Sequence, residues 1–254
     1  MTELSHSLTR TIVIRAMPAT VFQFFTDSAR WAAWWGQGSS IDPRPGGRMH
    51  IRYPNGVEAS GEVLEIAAPT RIVFTMGYPS GTPIPPGGSR VSIRVEPDRR
   101  GTRLQLVHEF ADAAVRDEHV QGWRYQLSVF SYVVTNEVHR DASAVVDRWL
   151  ATWAEPDAAV RERTLRELAT ADVQFRDRFS LVEGLADLLP HIAAAQRFMP
   201  GLSMRRVGDV RHCQGTVLSD WVAVGPTGQE RGKGTNVYAL AADGRIESVT
   251  GFWA

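Results

Sequence analysis

Asp177 follows Val173 and Phe175 at intervals of two, the repeat of a β-strand, so its carboxylate shares a face with two large apolar side chains. An apolar surround disfavours the charged form of a carboxylate and raises its pKa. His191 and Asp220, the latter beside Trp221, are further titratable groups in the same half of the chain. The alternative for Asp177 is an ion pair with Arg176, Arg178 or another arginine at the rim of a cavity.

His108 alternates with Leu104, Leu106 and Phe110 in "TRLQLVHEF" and so faces inward. A lone inward histidine is either a satisfied core group or part of a cavity wall. Metal chemistry is not expected. "HEF" lacks the second histidine of a zinc helix, and His119 and His139 are too far apart on one helix to share an ion. Cys213 has no partner thiol and reads as a structural residue. Gly46-Gly47, Gly87-Gly88 and "RGKGT" (Arg231 to Thr235) lack the spacing and the Lys-Ser/Thr pair of a phosphate loop, so turns explain them. No cofactor is expected.

Aromatic residues form the other conspicuous group. Trp31, Trp34 and Trp35 stand directly before a segment broken by Gly36, Gly38, Pro43, Pro45, Gly46 and Gly47. This run is expected to join the end of a first helix to the second strand over the mouth of a cavity. Trp31 would plug the gap between helix and sheet, and Trp35 would line the entrance.

A chain of 254 residues with 43% hydrophobic and 22% charged residues is long enough for two ordinary domains. Formal net charge is zero and the basic residues are dispersed, which argues against nucleic acid or an anionic membrane as partner. Lys233 is the only lysine, a pattern of coding bias rather than of chemistry. The single cysteine and the lack of a long apolar run or a signal-like start lead to the expectation of a cytoplasmic protein.

These residues need elements to position them. Ile12 and Ile14 alternate in a strand, "MPATVFQFF" switches to helical spacing, and "RMHIRY", "GEVLEI", "RIVFTM", "VSIRVE" and "TRLQLVHEF" follow as strands between turn signals. Met49, Ile51 and Tyr53, then Ile72, Phe74 and Met76, share the inward face with His108. Val120, Trp123, Leu127, Phe130 and Val134 recur at three and four, which predicts a long amphipathic helix from about Val115 to Arg140. A curved sheet around one long helix leaves a hollow, for which Trp35, Tyr53, Phe74, His108 and Trp123 are the candidate lining residues.

The blocks "VFQFFTDSARWAAWWG", "PGGRM", "GEVLEIAAPTRIVFT", "TRLQLVHEF" and "HVQGWRYQLSVF" resemble the activator of heat-shock-protein-90 ATPase homologue family, a branch of the START-like (SRPBCC) helix-grip superfamily. The resemblance runs through roughly residues 10 to 138 and implies a helix-grip domain over residues 1–140.

In the second half, "ASAVVDRWLATWAEPD" predicts a helix with Val145, Val146, Trp149 and Trp153 on one stripe. A third helix should run from Asp157, its cap, to about Ala169. A short strand "DVQFRD", a helix interrupted or kinked near Pro190, and four closing strands complete an α+β order. "VVDRWLATW", "LATADVQFRD", "EGLADLLPHIAAAQRFMPG" and "GTNVYALAADGRIESVTGFW" resemble the SnoaL-like, nuclear-transport-factor-2-like cone family, which implies a cone domain over residues 141–254. In the ketosteroid isomerase branch an aspartate matching Asp177 is the base. Trp149 and Asn236 match that branch's tyrosine and second aspartic acid, and both can still donate a hydrogen bond.

The leading expectation is therefore binding of a small hydrophobic or aromatic molecule in one or both domains, with Trp221 among the lining residues of the second. The alternatives are cofactor-independent cyclase or isomerase chemistry at Asp177, Asn236, Trp149 and His191, and a chaperone ATPase accessory role. The family resemblance of the second half also implies a homodimer through that domain.

Overall fold

Residues 3–254 are described in the computed structural model, and the chain divides into two compact α+β units, one ending at Thr135 and one beginning at Asn136. The division falls inside a helix. In the first unit, nearly every polar/apolar alternation forms a strand: β1 (His6–Ile14), β2 (Ser40–Ile41), β3 (Arg48–Arg52), β4 (Glu58–Ala67), β5 (Arg71–Met76), β6 (Ser89–Asp98) and β7 (Gly101–Phe110). They make one antiparallel sheet in the order β1-β7-β6-β5-β4-β3-β2. Register sets the inner face, because residues directly opposite each other point the same way. Leu8, His108, Val91, Phe74 and Val63 form one row across five strands, and all are buried. Against this face lies the 3.6-residue stripe of the long helix, with Trp123, Leu127, Phe130 and Val134 buried.

Three helices belong to this half: α1 (Pro18–Gln23), α2 (Ser28–Trp35) and α3 (Ala113–Val138). Proline at the start of α1 fits, since an amide there has no helical partner to lose. The tryptophan run differs from the expectation of a connecting segment, for it forms α2. Its breakers begin only after Trp35, and Asp27 caps the helix by accepting from the Arg30 N–H at 2.8 Å. Positions 31, 34 and 35 then fall on one helical face and bury all three rings. Gly36 ends the helix at φ 141°, where a Cβ would lie 2.3 Å from the Arg52 carbonyl oxygen.

The second unit contains α4 (Ala142–Thr152), α5 (Ala158–Leu168), β8 (Ala169–Asp177), β9 (Ser180–Glu183), α6 (Leu185–Phe198), β10 (Ser203–Cys213), β11 (Thr216–Val224), β12 (Glu230–Leu240) and β13 (Ile246–Trp253). The sheet order is β10-β11-β12-β13-β8-β9, with the β13–β8 pair parallel and the rest antiparallel. Asp157 caps α5 as expected, accepting from the Ala159 and Val160 N–H groups. Two details differ from the sequence reading. Residues 180–183 pair as the hairpin strand β9, and α6 continues through Pro190 without interruption. Proline removes one intrahelical bond, and here that loss falls only six residues into the helix.

Candidate functional site

Each unit encloses a cavity. In the first, Trp35 from α2, Tyr53 after β3, Met76 at the end of β5, Tyr78 just beyond it, and His119, Gly122, Trp123 and Gln126 from α3 line a space of about 410 Å³. The rings pack edge to face: Trp35 stands at 90° to Tyr53 and at 73° to Trp123, with centroids 5.7 Å apart in both pairs. The Trp35 indole N–H is buried and has no acceptor among the described residues.

Hydrogen bonds fix the walls. The Nδ1 of His119 faces the Val115 carbonyl oxygen at 2.7 Å and so carries the proton, leaving Nε2 toward the Tyr78 hydroxyl at 3.4 Å. Burial raises the pKa of Tyr53 well above that of a free phenol, and the neighbouring Tyr78 adds to the rise. Burial likewise raises Tyr78, opposed by its interaction with Tyr53. Both phenols are therefore neutral donors rather than bases. The Gln126 amide donates to the Trp34 carbonyl, tying α3 to α2.

Gly122 is a mid-helix glycine for which no backbone reason exists. A Cβ built there meets no atom within 4 Å. Glycine inside a helix costs about 1 kcal/mol relative to alanine, so this position gives up helix stability where it borders open space.

Behind that wall lies His108, fully buried. The Trp123 indole donates to its Nδ1 at 2.9 Å, so Nε2 bears the proton and meets the Ser89 Oγ at 2.8 Å. Ser89 in turn donates to the Met76 carbonyl oxygen at 2.7 Å. With both nitrogens engaged, burial and then the neighbouring His119 lower its pKa to about 2. His108 is thus a neutral strut for Trp123 rather than a lining group. Phe74 also falls behind the wall, packed edge to face on Trp31. Of the residues expected in this cavity, Trp35, Tyr53 and Trp123 line it, while Phe74 and His108 do not.

The second cavity is much smaller, about 70 Å³, and is lined by Trp149, Trp153, Phe175, Asp177, Trp221, Asn236 and Trp253 among others. Sheet register explains its floor. Ser219, Asn236 and Gly251 lie in one row that continues toward Asp177, and a Cβ on Gly251 would press on the Asn236 Oδ1 at 3.1 Å and the Asp177 Cβ at 3.2 Å. The next row sets Trp221 and Trp253 on either side of Gly234, their rings 4.9 Å apart.

Asp177 accepts from the Trp253 indole at 3.0 Å and from the Phe179 N–H at 2.8 Å. No ion pair to Asp177 occurs among the described residues, so indole and backbone donors stand where an arginine partner was considered. Asn236 accepts from the Trp221 indole at 3.0 Å and donates to the Tyr238 hydroxyl at 3.1 Å. Trp149 lines the cavity beside them. His191 stands apart, because its Nε2 meets the Ser180 Oγ at 3.2 Å while its ring packs behind Phe175 and Trp153. Asp220 alternates away from Trp221 to the other face, where it accepts from Thr235.

Several lining residues were missed by sequence reading, although their spacing was informative. His119, Gly122 and Gln126 recur at three and four with the expected Trp123, and Tyr78 follows Met76 by two. Trp253 likewise follows Gly251 by two on β13.

Residues 15–134 match the family model described as Activator of Hsp90 ATPase homolog 1-like protein. Among solved structures, a proposed isomerase of the SnoaL-like family from Agrobacterium tumefaciens is 24% identical over 46% of this chain and 98% of its own, with a TM-score of 0.43. CalU16 from Micromonospora echinospora is 25% identical over 53% of this chain and 78% of its own, TM-score 0.41. The Aha1 dimer from Colwellia psychrerythraea is 17% identical over 48% of this chain and 90% of its own, TM-score 0.42. Comparison with curated proteins finds no match.

Proposed function

We propose that the protein binds a small hydrophobic or aromatic molecule in the cavity of its first unit. The observation that carries this reading is size combined with lining. Ligand pockets commonly span about 300–1,000 Å³. The first cavity, at about 410 Å³, falls in that range, and the second, at about 70 Å³, has room for a few waters. N-phenyl-1-naphthylamine, a neutral fluorophore that brightens in apolar surroundings, tests it. Saturable binding of one equivalent is expected, with loss of at least tenfold in affinity for Gly122→Trp, which places an indole at a lining position where a Cβ meets no atom within 4 Å. Unsaturable emission, or binding indifferent to Gly122→Trp, contradicts the reading.

A second reading rests on the second unit, which we assign to the SnoaL-like cone fold from its order of helices and closing strands. Asp177, Asn236 and Trp149 share one cavity, as a cyclase or isomerase needs for a base and two carbonyl-polarising donors. The Trp253 indole and the Phe179 amide each occupy one acceptor site of the Asp177 carboxylate, which keeps a lone pair on each oxygen for a proton. If the reading holds, Asp177→Asn abolishes turnover and leaves ligand affinity nearly unchanged. A chaperone-accessory role, suggested by the name of the family matching residues 15–134, is removed if a purified mixture gives no ATPase stimulation.

We also propose self-association through the outer face of the second sheet. Val207, Asp220, Thr235 and Phe252 form one row there, with 44% of Val207 and 57% of Phe252 exposed.

A further inference from the structure

The first cavity carries a charge signature that hydrophobic binding does not require. Its wall contains five electron-rich rings, Trp35, Tyr53, Tyr78, Trp123 and Tyr125, and one carboxylate, Glu118. Neither arginine nor lysine lines it, although the chain carries 28 of them. Elsewhere, many carboxylates are held by arginine, as Glu109 is by Arg90 at 2.7 Å and Asp147 is by Arg206 at 2.8 Å. Glu118 forms no ion pair among the described residues. The residue one turn beyond it on α3 is Gly122, so no side chain stands between the carboxylate and the cavity along that face.

The faces of indole and phenol rings are negative and attract a cation placed over them, most strongly when the cation is partly desolvated. The two phenols at the inner wall are neutral, because burial raises their pKa, so they offer ring faces and hydroxyls rather than charge. An anionic ligand would meet the Glu118 carboxylate with neither arginine nor lysine in the lining to offset the repulsion.

From this lining we infer that the ligand class of the first cavity is an organic cation, a quaternary or tertiary ammonium or a cationic heteroaromatic, held by the ring cage with Glu118 as counter-ion at the rim. The inference rests on the binding reading above and narrows it.

Three compounds of matched size separate the classes: benzyltrimethylammonium, its neutral carbon isostere neopentylbenzene, and anionic phenylacetate. Each competes against N-phenyl-1-naphthylamine on the full chain, at low and moderate salt. The ammonium is expected to bind roughly tenfold more tightly than the isostere, with phenylacetate weakest. Glu118→Gln should weaken the ammonium several-fold while leaving the isostere and the fluorophore unchanged, a split that a general structural effect would not produce. Neopentylbenzene competing as well as the ammonium, or Glu118→Gln weakening both alike, overturns the inference and leaves hydrophobic binding intact. Failure of the fluorophore and of all three compounds to bind overturns both.

Discussion

At the scale of single residues, the first unit shows how one position serves a site without touching it. His108 reads from sequence as an inward histidine, either a satisfied core group or part of a cavity wall. Its burial with both nitrogens bonded makes it the support of Trp123. Alternation reveals which face a residue takes, but not whether a helix covers it. This histidine has a consequence for stability. Its pKa is depressed to about 2 in the folded state against 6.5 for the free group, so as pH falls the unfolded chain takes up the proton first. The stabilisation is fully present above pH 6.5 and declines as pH drops below it, by about 1.4 kcal/mol per pH unit for one proton. Between pH 7 and pH 5 this amounts to a loss of about 2 kcal/mol in urea unfolding, and His108→Gln should remove that loss. An identical slope in the two proteins would exclude a neutral buried His108. In the second unit, Asp177 gathers an indole and a backbone donor. Asp177→Ala should destabilise that unit by about 1–3 kcal/mol in the same assay, and leave ligand binding in the first unit unchanged.

At the scale of elements, α3 decides the size of the first cavity. Gly122 lies between His119 and Trp123 on the lining face, and nothing fills the place of its missing side chain. Gly122→Ala should therefore stabilise the helix by about 0.5–1 kcal/mol, read as a higher denaturation midpoint. A fall in stability would mean that the space is not open. The caps behave more simply. Asp157→Ala should lower the denaturation midpoint of the second unit by freeing the Ala159 and Val160 amides. Both caps had readable residues, yet Asp157 was recognised and Asp27 was not. The glycines and prolines after Trp35 drew the tryptophan run into the loop reading, although Asp27 stands just ahead of a breaker-free stretch with tryptophans at helical spacing. Strand β9 escaped for a different reason. Four residues directly before a helix give too little alternation to establish a period, and only pairing with β8 defines them.

At the scale of the whole molecule, the α+β order of both halves and the inward faces of the long strands were legible in periodicity. Cavity volume was not, because it depends on how rings from separate elements meet: Trp35 on α2, Tyr53 after β3 and Trp123 on α3 become neighbours only in the fold. The self-association proposed for the second sheet predicts a light-scattering mass twice that of the 28.1 kDa chain, restored to a single chain by Phe252→Asp. Which cavity takes a ligand can be read directly, because the tryptophans divide evenly between the two units. Of the eight, Trp31, Trp34, Trp35 and Trp123 lie in the first unit, and Trp149, Trp153, Trp221 and Trp253 in the second. Each indole N–H gives its own signal in a proton–nitrogen correlation spectrum. Titration with N-phenyl-1-naphthylamine should move the signals of Trp35 and Trp123 and leave those of Trp149, Trp153, Trp221 and Trp253 in place. Movement confined to the second set, or none at all, would contradict binding in the first cavity.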